Sequence, residues 1–339
     1  MTKPEETRAA VLGAGSWGTA LALLLHEKGV PVRLWSFEGE VVEEVRRTGV
    51  NPYLEGVPIP DSLHLTDQLP QALEGADLVL SVSPAQHVDT VIRKAAPAIS
   101  PHATVVSASK GIEIASLSRM DEVLARHLSP EHMERFCVLS GPSFAAEVVR
   151  GEPTAVVVAG RSLEARTRVQ SWFSTSRFRV YTNPDVIGVE LGGALKNVVA
   201  LAAGVVSGLG FGYNTQAALI TRGLAEITRL GVTLGAEART FSGLAGMGDL
   251  VLTCTGELSR NRTVGTRLGQ GETLNAILSD MRAVAEGVRT TPAVHALAAR
   301  HGVEMPIVAE VHAILEGERS PAAAVERLML RDPKPEAWS

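Results

Sequence analysis

The chain has 339 residues, of which 45% are hydrophobic and 20% charged, with a formal net charge of −5. The length favours two domains, each with a filled core, and the composition excludes disorder as the main state. A mildly acidic chain with no basic block gives no electrostatic reason to expect nucleic acid or an anionic membrane surface as a partner.

Residues 1–15, MTKPEETRAAVLGAG, pass from polar directly into an apolar strand pattern. They lack the hydrophobic stretch of a secretory signal, so a cytoplasmic protein is expected. Short apolar runs follow at RAAVLG (8–13), PVRLW (31–35), DLVLSVS (77–83), ATVVSAS (103–109), RFCVLSG (135–141) and TAVVVAG (154–160), bounded by Gly, Pro, Ser or Asp as strands are. Amphipathic pieces such as TALALLLHEKG and RMDEVLARHL lie between several of them. Continuous apolar strands alternating with helices predict an α/β, Rossmann-type fold, a doubly wound parallel sheet covered on both faces. RFRVYTN (177–183) is a candidate last strand.

After Pro184 the strand pattern stops, and long helical segments punctuated by Gly or Pro run to the end of the chain. They predict an all-α C-terminal domain, with a sheet domain over residues 1–185 and a helical domain over residues 186–339, which the motifs below make the dinucleotide-binding and substrate domains. The most apolar run, 198–211, is too short for a span of about 20 residues, so a buried core helix and no membrane insertion are expected. Cys137 and Cys254 fit no CxxC spacing and are expected to be reduced thiols.

Gly13-Ala14-Gly15-Ser16-Trp17-Gly18 is a G-x-G-x-x-G placed directly after the first strand and opening a helix. The glycines allow a tight turn, approach of the backbone to a pyrophosphate, and close helix–strand packing, while the helix start offers free N–H groups. Glu38, after the second strand, falls where such folds place an acid for the ribose 2′-OH. It also reads as a helix-start charge favoured by the dipole. Lys110 and the Ser140-Gly141-Pro142-Ser143 stretch end two further strands, where side chains face the ligand crevice; a solvated loop lysine is the plainer alternative.

Within GGALKNVVALAAG (192–204), Lys196 is an ammonium in apolar company, and burying it unpaired would cost several kcal/mol or depress its pKa. Asp249 stands in what reads as a glycine-rich turn, Gly246-Met247-Gly248. Ser259-Arg260-Asn261-Arg262 reads as a capped helix start suited to a phosphate, or as a capped helix with solvated arginines. No HExxH, clustered His/Cys/Asp set or GxSxG occurs, so metal and serine-triad chemistry lack support and no metal is expected.

GAGSWGTALA, ASKGIE, LSGPSFAAEV, NPDVIGVELGGALKNVVALAAG, ALITRGLAEITRLG, GMGDLVLTCTGELSRNRTVG and GVEMP, in this order, resemble the bacterial-type NAD(P)-dependent glycerol-3-phosphate dehydrogenases from about residue 8 to residue 330. The resemblance implies reduction of dihydroxyacetone phosphate to sn-glycerol 3-phosphate with NAD(H) or NADP(H), for glycerophospholipid synthesis. It implies Lys196 as proton donor and acceptor, and Lys110, Gly141, Ser143, Asp249, Ser259, Arg260 and Asn261 as substrate contacts. Against the cofactor it places Gly13, Gly15, Ser16, Trp17, Gly18, Phe37, Glu38, Lys110, Ala145, Arg260, Val284 and Glu286. Many members carry a basic or polar residue where this chain has Phe37 followed by Glu38. That leaves NADH against NADPH open, with Arg46 or Arg47 able to receive a 2′-phosphate if either folds back.

A β-hydroxyacid dehydrogenase or ketopantoate-type reductase is the nearest enzyme alternative, but such substrates carry a carboxylate where the helix start at Ser259 suits a phosphate. A dinucleotide sensor would leave Lys196 idle, and no DNA-binding helix is visible. The sequence admits a homodimer without specifying one.

Overall fold

The computed structural model describes residues 7–281, 285–333 and 335. Eight strands form one sheet: β1 (Ala9–Leu12), β2 (Val32–Trp35), β3 (His64–Thr66), β4 (Leu78–Ser81), β5 (Thr104–Ser107), β6 (Cys137–Ser140), β7 (Thr154–Gly160) and β8 (Phe178–Asn183). Their spatial order is β3-β2-β1-β4-β5-β6-β7-β8. In β1, Ala9 and Val11 join one apolar layer while Ala10 and Leu12 join the other, because successive strand side chains point to opposite faces. Both faces are therefore covered, as the unbroken apolar runs require.

Two features depart from the sequence reading. The short edge strand β3 has only Leu65 as an apolar residue, and a three-residue HLT carries no alternation to detect. The sheet is also mixed, since β7 runs antiparallel to β6, with Ser140 opposite Val157, and β8 follows β7 in parallel. The connection into β7, residues 141–153, contains one five-residue helix, Ala145–Val149, in place of the full crossover helix that usually joins parallel neighbours.

The elements that frame the site are α1 (Ser16–Glu27), α2 (Gly39–Thr48), α3 (Ala145–Val149), α4 (Val186–Gly208), α5 (Tyr213–Thr233), α6 (Asp249–Thr255), α7 (Arg260–Gly269), α8 (Glu286–Arg300) and α9 (Pro306–Leu315). Among the described residues, every element after β8 is helical, giving a helical C-terminal domain behind the sheet. Helix α4 is its axis. It starts on the Asp185 side chain, which accepts from Gly188 N at 2.8 Å, and is buried without a break from Gly188 to Val206. At 23 residues it takes in most of the apolar run 198–211 and extends well before it, and by length and composition it is able to cross a membrane; here it is buried inside the protein.

Glycine sets how closely α4 is approached. A Cβ on Gly204 would lie 2.1 Å from Arg262 O, and one on Gly265 would lie 2.0 Å from Leu201 O. Helices α4 and α7 thus cross backbone against backbone, which draws the residues at the start of α7 against the middle of α4.

Candidate active site

The carboxyl ends of the parallel strands β1, β2, β4, β5 and β6 open on one edge of the sheet. Between β1 and β4 the strand order reverses, which is where open α/β sheets form a crevice. Gly13 leaves β1 at φ 132°, and a Cβ there would meet Val82 C and O at 2.9 Å. A Cβ on Gly18 would sit 1.9 Å from Gly13 O, so the third glycine seats α1 against the strand. Gly15 has nothing within 4 Å of its would-be Cβ, which leaves an open backbone surface at the helix start. Ser16 opens α1, and the Trp17 ring packs partly into the sheet's core while its buried Nε1 has no partner. Ala145, the first residue of α3, packs on the same core, and α3 lies against α1.

At the end of β2, Phe37 is exposed and touches Trp35 edge-on. Glu38 holds the N-cap position of α2 but makes no side-chain cap bond. Its carboxylate instead accepts from the Tyr53 hydroxyl at 2.8 and 3.0 Å. Arg46 and Arg47 lie in the last turn of α2, roughly 12 Å along the helix from Glu38.

The centre of the cleft is Asp249, whose side chain is 1% exposed. Lys196 Nζ donates to its Oδ1 at 2.5 Å and Lys110 Nζ to its Oδ2 at 2.7 Å. Lys196 also donates to Thr253 Oγ1 at 2.7 Å, and Lys110 to Gly141 O at 3.1 Å. Three elements distant in sequence deliver these groups: the loop after β5, helix α4 and helix α6. Gly192 and Gly193 let α4 reach this point, because a Cβ on the first would strike Ala245 O at 2.5 Å and on the second Ser140 Oγ at 2.6 Å. The expected glycine-rich turn before Asp249 is a single π-helical turn, Leu244–Gly248, that runs directly into α6. Asp249 and Thr253 are therefore one helical turn apart on the same face.

Burial pulls the Lys196 pKa down to about 8; Asp249 opposes that fall and Lys110 adds to it. Two ammonium groups share one carboxylate, so the pocket carries an excess of one positive charge and suits an anionic ligand. Ser143 donates its hydroxyl to Gly141 O at 2.9 Å, and Gly141 itself sits at φ 132° with Val156 Cα 3.0 Å from its would-be Cβ.

At the start of α7, Ser259 caps the helix by accepting from Arg262 N at 3.2 Å. Asn261 donates to Asn197 Oδ1 and accepts from Gly287 N, both at 2.9 Å, so half of its amide is already used to join α4, α7 and α8. Arg260, the first residue of α7, is exposed, and desolvation by the protein beside it lowers its pKa against the opposing charge of Glu286. Glu286 opens α8, and burial raises its pKa to about 7 despite Arg260 and an N–H from Ala85. Its buried Oε2 and the neighbouring Thr290 Oγ1 have no partner, and both lie close to the would-be Cβ of Gly111. Val284 lies outside the described residues.

The structure thus brings Lys110, Gly141, Ser143, Lys196 and Asp249 into one constellation, with Arg260, Asn261 and Glu286 beside it. The glycine turn and Glu38 form a second group along the sheet edge. Thr253 and Thr290 are members that motif spacing did not single out for these contacts. The D-x-x-x-T spacing of 249 and 253 was a usable signal, hidden by reading Asp249 into a turn. Among the described residues, no group of three or more His, Cys, Asp or Glu is placed to hold a metal ion.

Two family models match the chain, the NAD-dependent glycerol-3-phosphate dehydrogenase N-terminus over residues 8–166 and the corresponding C-terminus over residues 185–326. The chain belongs to the NAD-dependent glycerol-3-phosphate dehydrogenase family. It is 54% identical to a glycerol-3-phosphate dehydrogenase [NAD(P)+] of Geobacter sulfurreducens over 98% of this chain and 99% of that one. A protein of the same description from Koribacter versatilis is 51% identical over 98% and 99%. A crystal structure of glycerol-3-phosphate dehydrogenase from Coxiella burnetii superposes with a TM-score of 0.92 at 42% identity, covering 96% of this chain and 99% of that one. A ketopantoate reductase from Ralstonia eutropha, at 15% identity and a TM-score of 0.61 over 94% and 100% of the chains, shares the fold. The glycerol-3-phosphate dehydrogenase family is one of oxidoreductases that use a nicotinamide cofactor, and the two-part architecture of sheet and helical domain is its fold.

Proposed function

We propose that the cleft carries out the family's reaction, the reduction of dihydroxyacetone phosphate to sn-glycerol 3-phosphate, with Lys196 as the proton donor. The observation that carries this reading is the Lys110–Asp249–Lys196 bridge, in which one buried carboxylate orients two ammonium groups at the carboxyl edge of the sheet. The open backbone at Gly15, the close seat of Gly18 and the unpartnered Trp17 Nε1 and Glu286 Oε2 fit a dinucleotide along the same edge. Ser16, Phe37, Glu38, Ala145 and Arg260 would complete its contacts. When bound, the cofactor supplies the hydride.

The protein's part is electrostatic and protonic. Lys196, with its pKa brought to about 8 by burial, is still largely charged near neutrality yet releases a proton more readily than a solvated lysine. Lys110 stays beside it to stabilise negative charge on the substrate oxygen. Asp249 keeps both ammonium groups aimed at one place, so little reorganisation is needed as charge develops. The start of α7, with Ser259, Arg260 and Asn261, grips the phosphate at the remote end of the substrate, and that binding energy serves orientation.

Glu38 accepts from a ribose 2′-hydroxyl and repels a 2′-phosphate, so NADH is favoured slightly, with both cofactors usable. We place the boundary of the two domains between residues 185 and 186. A cytoplasmic location is supported by the burial of α4 and by two buried free cysteines. The decisive experiment follows cofactor absorbance on mixing the protein with NADH and dihydroxyacetone phosphate, with ketopantoate in a parallel arm. Turnover of ketopantoate in preference to the phosphorylated ketone would overturn the assignment of substrate.

A further inference from the structure

We propose that Tyr53 is a positioning residue for cofactor selectivity, fixing the Glu38 carboxylate at the end of β2 so that discrimination between NADH and NADPH depends on its hydroxyl. The inference rests on the reading of Glu38 as the group that meets the adenosine ribose. It starts from what Glu38 does not do: at the N-cap of α2 its side chain makes no cap bond, although an acid in that position ordinarily turns toward the free N–H groups. The carboxylate is held elsewhere. Tyr53 presents its one hydroxyl hydrogen between the two oxygens, at 2.8 Å from Oε2 and 3.0 Å from Oε1.

Tyr53 is itself anchored to the glycine-rich turn. Its backbone N–H donates to Asn51 Oδ1 at 2.9 Å. Asn51 is fully buried and donates from Nδ2 to Ala14 O, inside the turn, and to Thr19 Oγ1, on the helix the turn opens, both at 2.9 Å. Every hydrogen-bonding position of that amide except one acceptor lone pair is in use. The loop is closed at its base by a Val50–Pro58 bridge and by Ile59 N donating to Gly49 O at 2.8 Å, and Leu54 and Ile59 bury their side chains in the sheet's core.

A chain of contacts therefore runs from Ala14 through Asn51 and Tyr53 to Glu38, linking the turn that faces a pyrophosphate to the acid that faces a ribose. A carboxylate free to rotate would swing aside for a 2′-phosphate at small cost. One held by Tyr53 remains in place, available to a hydroxyl and repulsive to a phosphate. Tyr53 is neutral, so it orients the negative charge without cancelling it.

The test uses the full chain and two readouts, dissociation constants for NADH and NADPH from nicotinamide fluorescence and steady-state kcat and KM with each cofactor. Tyr53→Phe should shift the NADH-to-NADPH ratio of affinities toward NADPH by about three- to tenfold, the range of one ordinary solvent-exposed hydrogen bond, with the change in cofactor KM rather than in kcat. Glu38→Gln should shift it at least as far, and the double variant no further than Glu38→Gln alone. A ratio that moves in Glu38→Gln but not in Tyr53→Phe overturns the positioning role. Equal weakening of both cofactors by Tyr53→Phe overturns it too, because that is the mark of a general loop defect. A ratio unmoved by Glu38→Gln overturns the underlying reading of Glu38 instead.

Discussion

The glycine-rich turn and the Asp249 centre lie along the same cleft and are built in opposite ways. The turn is local: six consecutive residues, read mainly through backbone, in which absent side chains create the surface. The Asp249 centre is non-local. Its lysines stand 139 and 53 residues away in sequence, and its geometry exists only because α4 passes within backbone contact of the 244–248 turn. The contrast teaches that a dinucleotide-type turn can be specified by one short segment, whereas the proton chemistry proposed for the Asp249 centre requires the sheet and the C-terminal helices to pack together.

The comparison breaks most visibly at Lys196. Lys196→Met should lower kcat by about two to four orders of magnitude, the usual scale for a positioned acid, while the dissociation constant for NADH barely changes. Near wild-type turnover would remove Lys196 from the mechanism. In the wild type, the rate of ketone reduction should fall as pH rises through about 8, because the acid must be charged, and the reverse oxidation should rise over the same interval. A pH profile flat across that interval in both directions would show that another group carries the proton.

Arg260→Ala should come next, costing about 2–5 kcal/mol in kcat/KM for dihydroxyacetone phosphate as a charge pair in the cleft is broken. Unphosphorylated dihydroxyacetone should be used almost equally by variant and wild type. An equal loss with both ketones would move Arg260 away from the phosphate.

The local end is sharpened by Gly18→Ala. A methyl group 1.9 Å from Gly13 O forces α1 away from the strand, and overpacking of this kind costs about 1–3 kcal/mol. Stability and cofactor affinity should fall together while kcat at saturating NADH is kept. Loss of kcat with normal cofactor affinity would contradict the separation of the two regions.

The smallest expected effect lies away from both. Glu226 on α5 accepts from Ile307 N at 2.9 Å and Val308 N at 3.4 Å, capping α9, and burial raises its pKa to about 7. An acid whose folded pKa exceeds its unfolded value contributes stability that is complete below about 4.5 and declines as pH rises toward 7. Glu226→Gln keeps the stronger cap bond and should shrink the Tm difference between pH 5 and pH 8 by about 2–4 °C. An unaltered difference would mean that Glu226 does not titrate in that window.

The chain by itself determined the layered sheet, the switch to helices after β8 and the glycine turn, since each is written in neighbouring residues: apolar runs, helical spacing, and glycines at fixed offsets. Motif resemblance also picked out Lys196, Asp249 and the helix start at Ser259. What it could not supply was how they meet. The reversal at β7 depended on the path taken by a connection with no full crossover helix, and the place of Thr253 depended on a π turn that converts an apparent loop into the first turn of a helix. Asn261, expected to face substrate, spends half its amide on Asn197 and Gly287, a fact set by the glycine crossing of α4 and α7. Likewise Glu38 is exposed at a helix start in any one-dimensional reading, and only the folded loop brings Tyr53 to its carboxylate. Periodicity reports which face of an element is apolar, because that depends on residues a few positions apart. Distances between side chains on different elements depend on how closely their backbones approach, and that is decided only when the elements pack.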